Sequence, residues 1–204
     1  MGAGKLERYL TRQFEELVAD CSVEREEKYR VGNLETVRRK LRKLGAHTHA
    51  SGFERNELFD YEDRLRRQGL KLRLRCHGGK VAMLTLKGPR RKGRQKTRME
   101  VETPVEYRAA KRILELLDFR VTENYSKVRE EYRLDGCTVC LDQIPNSGCY
   151  VEIEGTAKNI SETAHRLGLR TTDREHRSYR RLIKEAGIIA PKSRSHCNNS
   201  ARHK

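Results

Sequence analysis

Five segments of this chain alternate between aliphatic and ionisable side chains, and that pattern constrains the fold more than any other feature. At the two-residue period of a strand, Glu24, Glu26 and Lys28 share one face of Val23–Arg30. Leu70, Leu72 and Leu74 oppose Lys71, Arg73 and Arg75, and Ala82, Leu84 and Leu86 oppose Thr85 and Lys87. Met99 and Val101 oppose Arg98, Glu100 and Glu102; Val151 and Ile153 oppose Glu152 and Glu154. Lys127, Arg129 and Glu131 stay in phase on a strand over 119–133, and Asp142 sits on one over 138–144.

A soluble antiparallel sheet normally turns a mixed polar face to water. Here the polar faces sort by strand. Carboxylates stand at 24/26, 100/102 and 152/154, and cations at 71/73/75, 87 and 127/129. One such face alone reads equally well as a solvated edge that resists aggregation. Repetition along the chain favours a sheet curled around a hydrophilic lumen, with helices covering its aliphatic outside. Clustered carboxylates need a hard cation such as Mg²⁺ or Mn²⁺. Clustered Lys and Arg need a polyanion, bound through charge-assisted hydrogen bonds.

The remaining elements supply that cover. Leu6, Leu10, Phe14, Leu17 and Val18 give an amphipathic N-terminal helix. Asn33 caps a helix carrying Leu34, Val37, Leu41 and Leu44, closed by Gly45. Residues 46–60 read as an extended polar arm. Thr103-Pro104-Val105-Glu106 reads as a capping box, with Ala109, Ile113, Leu116 and Leu117 as the stripe that follows. Ile160, Ala164 and Leu167 lie on a helix ending at Gly168, and Asp173 is expected to cap one bearing Tyr179, Leu182, Ile183 and Ala186. The segmentation is an N-terminal extension over 1–21, one domain over 22–188 and a basic, disordered tail over 189–204.

The 204 residues carry a net charge of +16, with 36% charged and 35% hydrophobic side chains, which points to polyanionic partners. No apolar run approaches 18 residues and no secretory signal opens the chain, so a cytoplasmic protein without membrane contact is expected. Cys137-Thr-Val-Cys140 is a lone pair with no second pair at zinc-ribbon spacing, and it follows the turn signal Asp135-Gly136. It is read as space-filling on a strand. His47 and His49 are read as a surface pair.

The charged segments together resemble a known family. Glu24-Arg-Glu26-Glu-Lys28 is similar to the opening signature of the CYTH superfamily, the triphosphate tunnel metalloenzymes. The likeness continues in order through Leu72-Arg73-Leu74-Arg75, Leu84-Thr-Leu-Lys87-Gly-Pro, Arg98-Met-Glu100-Val-Glu102, Lys127-Val-Arg129 and Val151-Glu-Ile-Glu154. His176-Arg-Ser-Tyr-Arg-Arg-Leu182 resembles the closing helix of the class IV adenylate cyclase branch. Leu86 and Ser147 depart from the pattern at uncharged positions, where Tyr and Leu are usual.

The resemblance implies an α+β fold: a closed antiparallel barrel of eight strands with helices outside. It implies Glu24, Glu26, Glu152 and Glu154 as metal ligands, supported by Asp142, Glu100 and Glu102, with Mg²⁺ or Mn²⁺ as cofactor. It implies Lys28, Arg73, Lys87 and Arg129 as catalytic, and these with Arg75, Arg98 and Lys127 as the triphosphate-binding cations. Tyr179 and Arg180 would close the tunnel mouth, and Lys71 is a weaker candidate. The implied substrate is a nucleoside triphosphate or inorganic triphosphate, and a homodimer is compatible with it. An adenylate cyclase is expected first and an inorganic or thiamine triphosphatase second. A polyanion- or RNA-binding module without turnover comes last, because paired carboxylates repel a bare polyanion.

Overall fold

The computed structural model describes residues 22–77, 81–91 and 96–187. Eight strands form a closed antiparallel barrel in the order β1-β5-β4-β3-β2-β6-β7-β8. They are β1 (Ser22–Val31), β2 (His47–Asp60), β3 (Lys71–Cys76), β4 (Val81–Lys87), β5 (Lys96–Glu106), β6 (Arg120–Leu134), β7 (Cys137–Ile144) and β8 (Gly148–Glu154). The helices are α1 (Leu34–Lys43), α2 (Arg64–Arg67), α3 (Tyr107–Leu116), α4 (Ala157–Leu167) and α5 (Tyr179–Glu185). The expected α+β barrel is thus present. The N-terminal helix and the basic tail of the sequence reading lie outside the described residues.

The aliphatic faces point outward and are sealed by helices. Leu34, Val37 and Leu41 of α1 and Ile160, Ala164 and Leu167 of α4 pack on Tyr29, Tyr132, Val139, Leu141, Val151 and Ile153. Burying one such side chain fully stabilises the fold by roughly 1.5–3 kcal/mol. A smaller cluster joins Ala110 and Leu114 of α3 to Phe59, Leu74 and Ala82. At one end of the barrel, Tyr179, Leu182 and Ile183 of α5 meet Ile144 and Tyr150.

Four local expectations change. Residues 46–60 are not a loose arm: β2 is one of the longest strands and pairs with both β3 and β6. The capping box is not formed, because β5 runs through Pro104 to Glu106 and Glu106 itself caps α3 by accepting from Ala109 N–H. Pro104 stands opposite Met83 of β4 in that strand.

The α3 stripe is also rotated. Ala110 and Leu114 face the barrel, while Ile113, Leu116 and Leu117 are 57%, 65% and 61% exposed. Polar anchors set this phase: Tyr107 Oη and Lys111 Nζ both donate to Glu57, at 2.8 and 2.9 Å. Finally, Asp173 belongs to a short 3-10 turn, and Ser178 caps α5.

Candidate active site

Because side chains alternate along each strand, the ionisable faces of β1, β3, β4, β5, β6 and β8 all converge inside the barrel. They line a cavity of about 520 Å³. One carboxylate oxygen from each of Glu24, Glu26 and Glu154 lies within 4.8 Å of the others. The register explains this: Glu26 stands opposite Glu154 across the β1–β8 ladder, and Glu24 is two residues away on the same face. All three donors are hard oxygens, the chemistry that suits Mg²⁺ or Mn²⁺.

The electrostatics fit a site that gains from a cation. Burial pushes the Glu154 carboxyl up to about 7, and Glu152, Glu24 and Glu26 add to the rise against the pull of Arg129. Burial also works against Glu24, but Lys87 and Arg98 outweigh it and hold that carboxyl down at about 2. Lys87 Nζ and Arg98 Nε each lie 2.8 Å from a Glu24 oxygen. Lys96, absent from the sequence expectations, sits 3.2 Å from Glu26.

Cations fill the facing walls. Arg129 makes a two-point bond to Asp142 at 2.7 and 2.6 Å and reaches Glu152 at 2.6 Å. Lys127 is 3.2 Å from Asp142. Burial lowers the Lys28 ammonium to about 8, with Glu152 at 3.7 Å opposing the shift. Arg73 lies within 4 Å of Glu100 and Glu102, and Arg75 is 2.9 Å from Glu102. Lys87 is 2.9 Å from Glu100. Lys71 also lines the cavity, its ammonium lowered to about 8 by burial and by Arg98, Arg90 and Arg180.

The structure therefore divides the expected carboxylates into two groups. Glu24, Glu26 and Glu154 converge on one another, with Glu24 and Glu26 also meeting Lys87, Arg98 and Lys96, whereas Glu100, Glu102, Asp142 and Glu152 stand outside that cluster and face lysine or arginine. Tyr179 projects from α5 into the lumen, donates to Asp142 at 2.6 Å, and lies with its ring beneath Lys28 and Lys127. Arg180 stays at the rim, paired with Glu123. Cys137 and Cys140, three residues apart, point to opposite faces of β7, with Cys137 in the outer core, so they cannot chelate as a pair.

Besides Lys96, sequence reasoning missed Glu54 on β2. It is fully buried and surrounded by Lys127, Arg129, Arg75 and His77. Burial pushes its carboxyl up, but Lys127, Arg129, Arg73 and Arg75 outweigh it and hold the group below the usual range.

A family model, the CYTH domain, matches residues 22–179. The chain belongs to the CYTH family. A Methanocaldococcus jannaschii protein, provisionally named an adenylate cyclase, is 29% identical over 142 residues, covering 69% of this chain and 81% of the relative. The solved structure of a protein from Vibrio parahaemolyticus, provisionally titled an adenylate cyclase, superposes with a TM-score of 0.70. It is 23% identical and covers 80% of this chain and 98% of that one, a likeness of fold. The Pyrococcus horikoshii protein PH1012 gives a TM-score of 0.67 at 27% identity, covering 78% and 98%. A Hippeastrum protein matches at a TM-score of 0.60 and 16% identity, over 83% of this chain and 97% of that one; its title describes a dominant triphosphatase activity. The CYTH match begins at β1 and ends at Tyr179, so it spans every charged strand of the lumen.

Proposed function

We propose that this CYTH protein is a metal-dependent triphosphate-processing enzyme that converts ATP to cyclic AMP and pyrophosphate. The observation that carries this reading is the lumen itself. Glu24, Glu26 and Glu154 converge within 4.8 Å, and lysines and arginines line the rest of the cavity. The cavity of about 520 Å³ falls in the range of roughly 300–1,000 Å³ used by small-molecule sites. The name of the M. jannaschii relative supports the cyclase form of the reaction.

Glu24, Glu26 and Glu154 would hold Mg²⁺ or Mn²⁺, which supplies charge neutralisation at the phosphate oxygens. The chain's own residues do the positioning. Arg73, Arg75 and Lys87 present donors along β3 and β4, and Lys127 and Arg129 along β6, so a triphosphate is gripped from two sides. Asp142 fixes the Arg129 fork and the Tyr179 hydroxyl, and α5 packs on Ile144 and Tyr150 at one end of the barrel. With the chain of phosphates held in line, the ribose 3′-hydroxyl oxygen attacks the α-phosphorus and its proton passes to solvent. The bond to the β-phosphate bridging oxygen breaks, and pyrophosphate leaves with the electron pair. Preorganised cations at the developing charge are the main source of acceleration in such transfers.

A triphosphatase is the second reading, favoured by a lumen wall that is ionic almost throughout and by the activity in the Hippeastrum protein's title. Chromatography of product mixtures separates the two. ATP with Mg²⁺ or Mn²⁺ should yield cyclic AMP and pyrophosphate one for one. Orthophosphate from inorganic triphosphate, with no cyclic nucleotide from ATP, overturns the cyclase and leaves the triphosphate tunnel in place.

A further inference from the structure

Glu54 is an odd residue to find in a phosphate site. It is a fully buried carboxylate on the wall that supplies the cations, far along the lattice of strands from β1 and β8. Its contacts differ in kind from those of Asp142. Asp142 grips Arg129 at 2.7 and 2.6 Å, taking two of the guanidinium's donors. Glu54 stands 3.5 Å from Lys127, 3.4 Å from His77 and 4.0 Å from both Arg75 and Arg129. Oε1 accepts a hydrogen bond from Asn56 at 2.8 Å, while buried Oε2 has no hydrogen-bond partner. Glu54 therefore balances charge without occupying the cations' donors.

Building on a triphosphate held in the lumen, we propose that Glu54 is a positioning residue: a built-in counter-ion that holds Lys127, Arg129 and Arg75 in place and weakens the tunnel's grip on phosphate. In the empty tunnel its charge keeps the cations from splaying apart. With phosphate bound, the same fixed charge repels the ligand, and at effective protein dielectrics near 20 a unit charge is felt several ångströms away. The consequence is product release: a wall of uncompensated cations would hold pyrophosphate or triphosphate too tightly to turn over.

The test is calorimetric binding of inorganic triphosphate with Mg²⁺ to the full chain, alongside steady-state kinetics with ATP and with inorganic triphosphate. Glu54→Gln keeps the shape and the Asn56 contact but removes the charge. Triphosphate should bind about tenfold tighter, equivalent to about 1.4 kcal/mol. Both KM and kcat should fall with whichever substrate turns over. Glu54→Asp, which restores the charge, should return affinity and kcat toward wild type. A merely structural role predicts the opposite split, with weaker binding and raised KM. Affinity unchanged or reduced in Glu54→Gln, with wild type binding normally, overturns the inference and spares the tunnel reading. Failure of wild type to bind triphosphate overturns both. Glu54→Ala serves as the second charge-removing variant, and loss of fold in both marks Glu54 as structural and overturns the proposal.

Discussion

Glu154 shows how a single side chain ties this site to pH. Its folded-state pKa, about 7, lies above the 4.5 of a free glutamate. The folded protein therefore holds a proton there that the unfolded chain has already released. The resulting stabilisation is complete below about 4.5 and is lost as pH rises through 7. Each pKa unit corresponds to about 1.4 kcal/mol, so the loss is on the order of 3 kcal/mol. Glu154→Gln cannot ionise, so the metal-free variant should gain stability relative to metal-free wild type between pH 5 and 8. Denaturant melts of both proteins across that interval measure the difference; a constant offset would mean that Glu154 does not titrate there. The same residue explains a limit of sequence reading. That Glu154 meets Glu26 follows from alternation plus one register, but Glu54 carried no such signal. Its neighbours Arg55 and Glu57 are also polar, because α3 covers them with Tyr107 and Lys111 instead of aliphatic side chains.

At the level of elements, local chemistry made the termini at Asn33 and Gly168 legible, whereas the caps at Glu106 and Ser178 lie away from the positions the sequence suggests. Asn33 caps α1 by accepting from Glu35 N–H, and Gly168 ends α4 in the left-handed conformation at φ 68°. A Cβ at Gly168 would lie 2.5 Å from Lys40 Nζ, which donates to the Leu167 carbonyl, so Ala there meets backbone strain and a displaced lysine together. Gly168→Ala should cost roughly 1 kcal/mol and lower Tm by about 2–4 °C. An unchanged calorimetric Tm would show that the α4–α1 corner relaxes freely. The phase of α3 was not legible, since its inward face is chosen by Glu57 across the fold, 50 residues from Tyr107 and 54 from Lys111 in the chain. The same holds for β5, whose Pro104 signals a helix start locally but stands opposite Met83 of β4 in the barrel.

For the molecule as a whole, closure of the barrel concentrates charge that the unfolded chain keeps in water. Carboxylates and cations alternate around the lumen and compensate one another in the ligand-free protein, as in the Lys87 bridge between Glu24 and Glu100. A bound metal and polyphosphate would take over part of that compensation. Ligand at a hundred times its dissociation constant adds about 2.7 kcal/mol by mass action. Mg²⁺ with inorganic triphosphate should therefore raise Tm by several degrees, and by more than either alone. Equal shifts from Mg²⁺ alone would separate the carboxylate cluster from the cation walls as independent sites. Among the described residues no helix is long and apolar enough to cross a membrane.

The sequence by itself determined the barrel and its charged lining, because a two-residue period assigns each side chain to a face before any tertiary contact forms. It determined the order of charged strands, and with them the CYTH likeness and the principal lumen residues. Only the tertiary structure decided which carboxylates meet one another and which meet cations. Ladder register and shear set that choice: Glu26 faces Glu154 across β1–β8, while Asp142 faces Arg129 across β6–β7. It also brought Glu54 inside. A strand polar on both faces has no inside until its neighbours supply one.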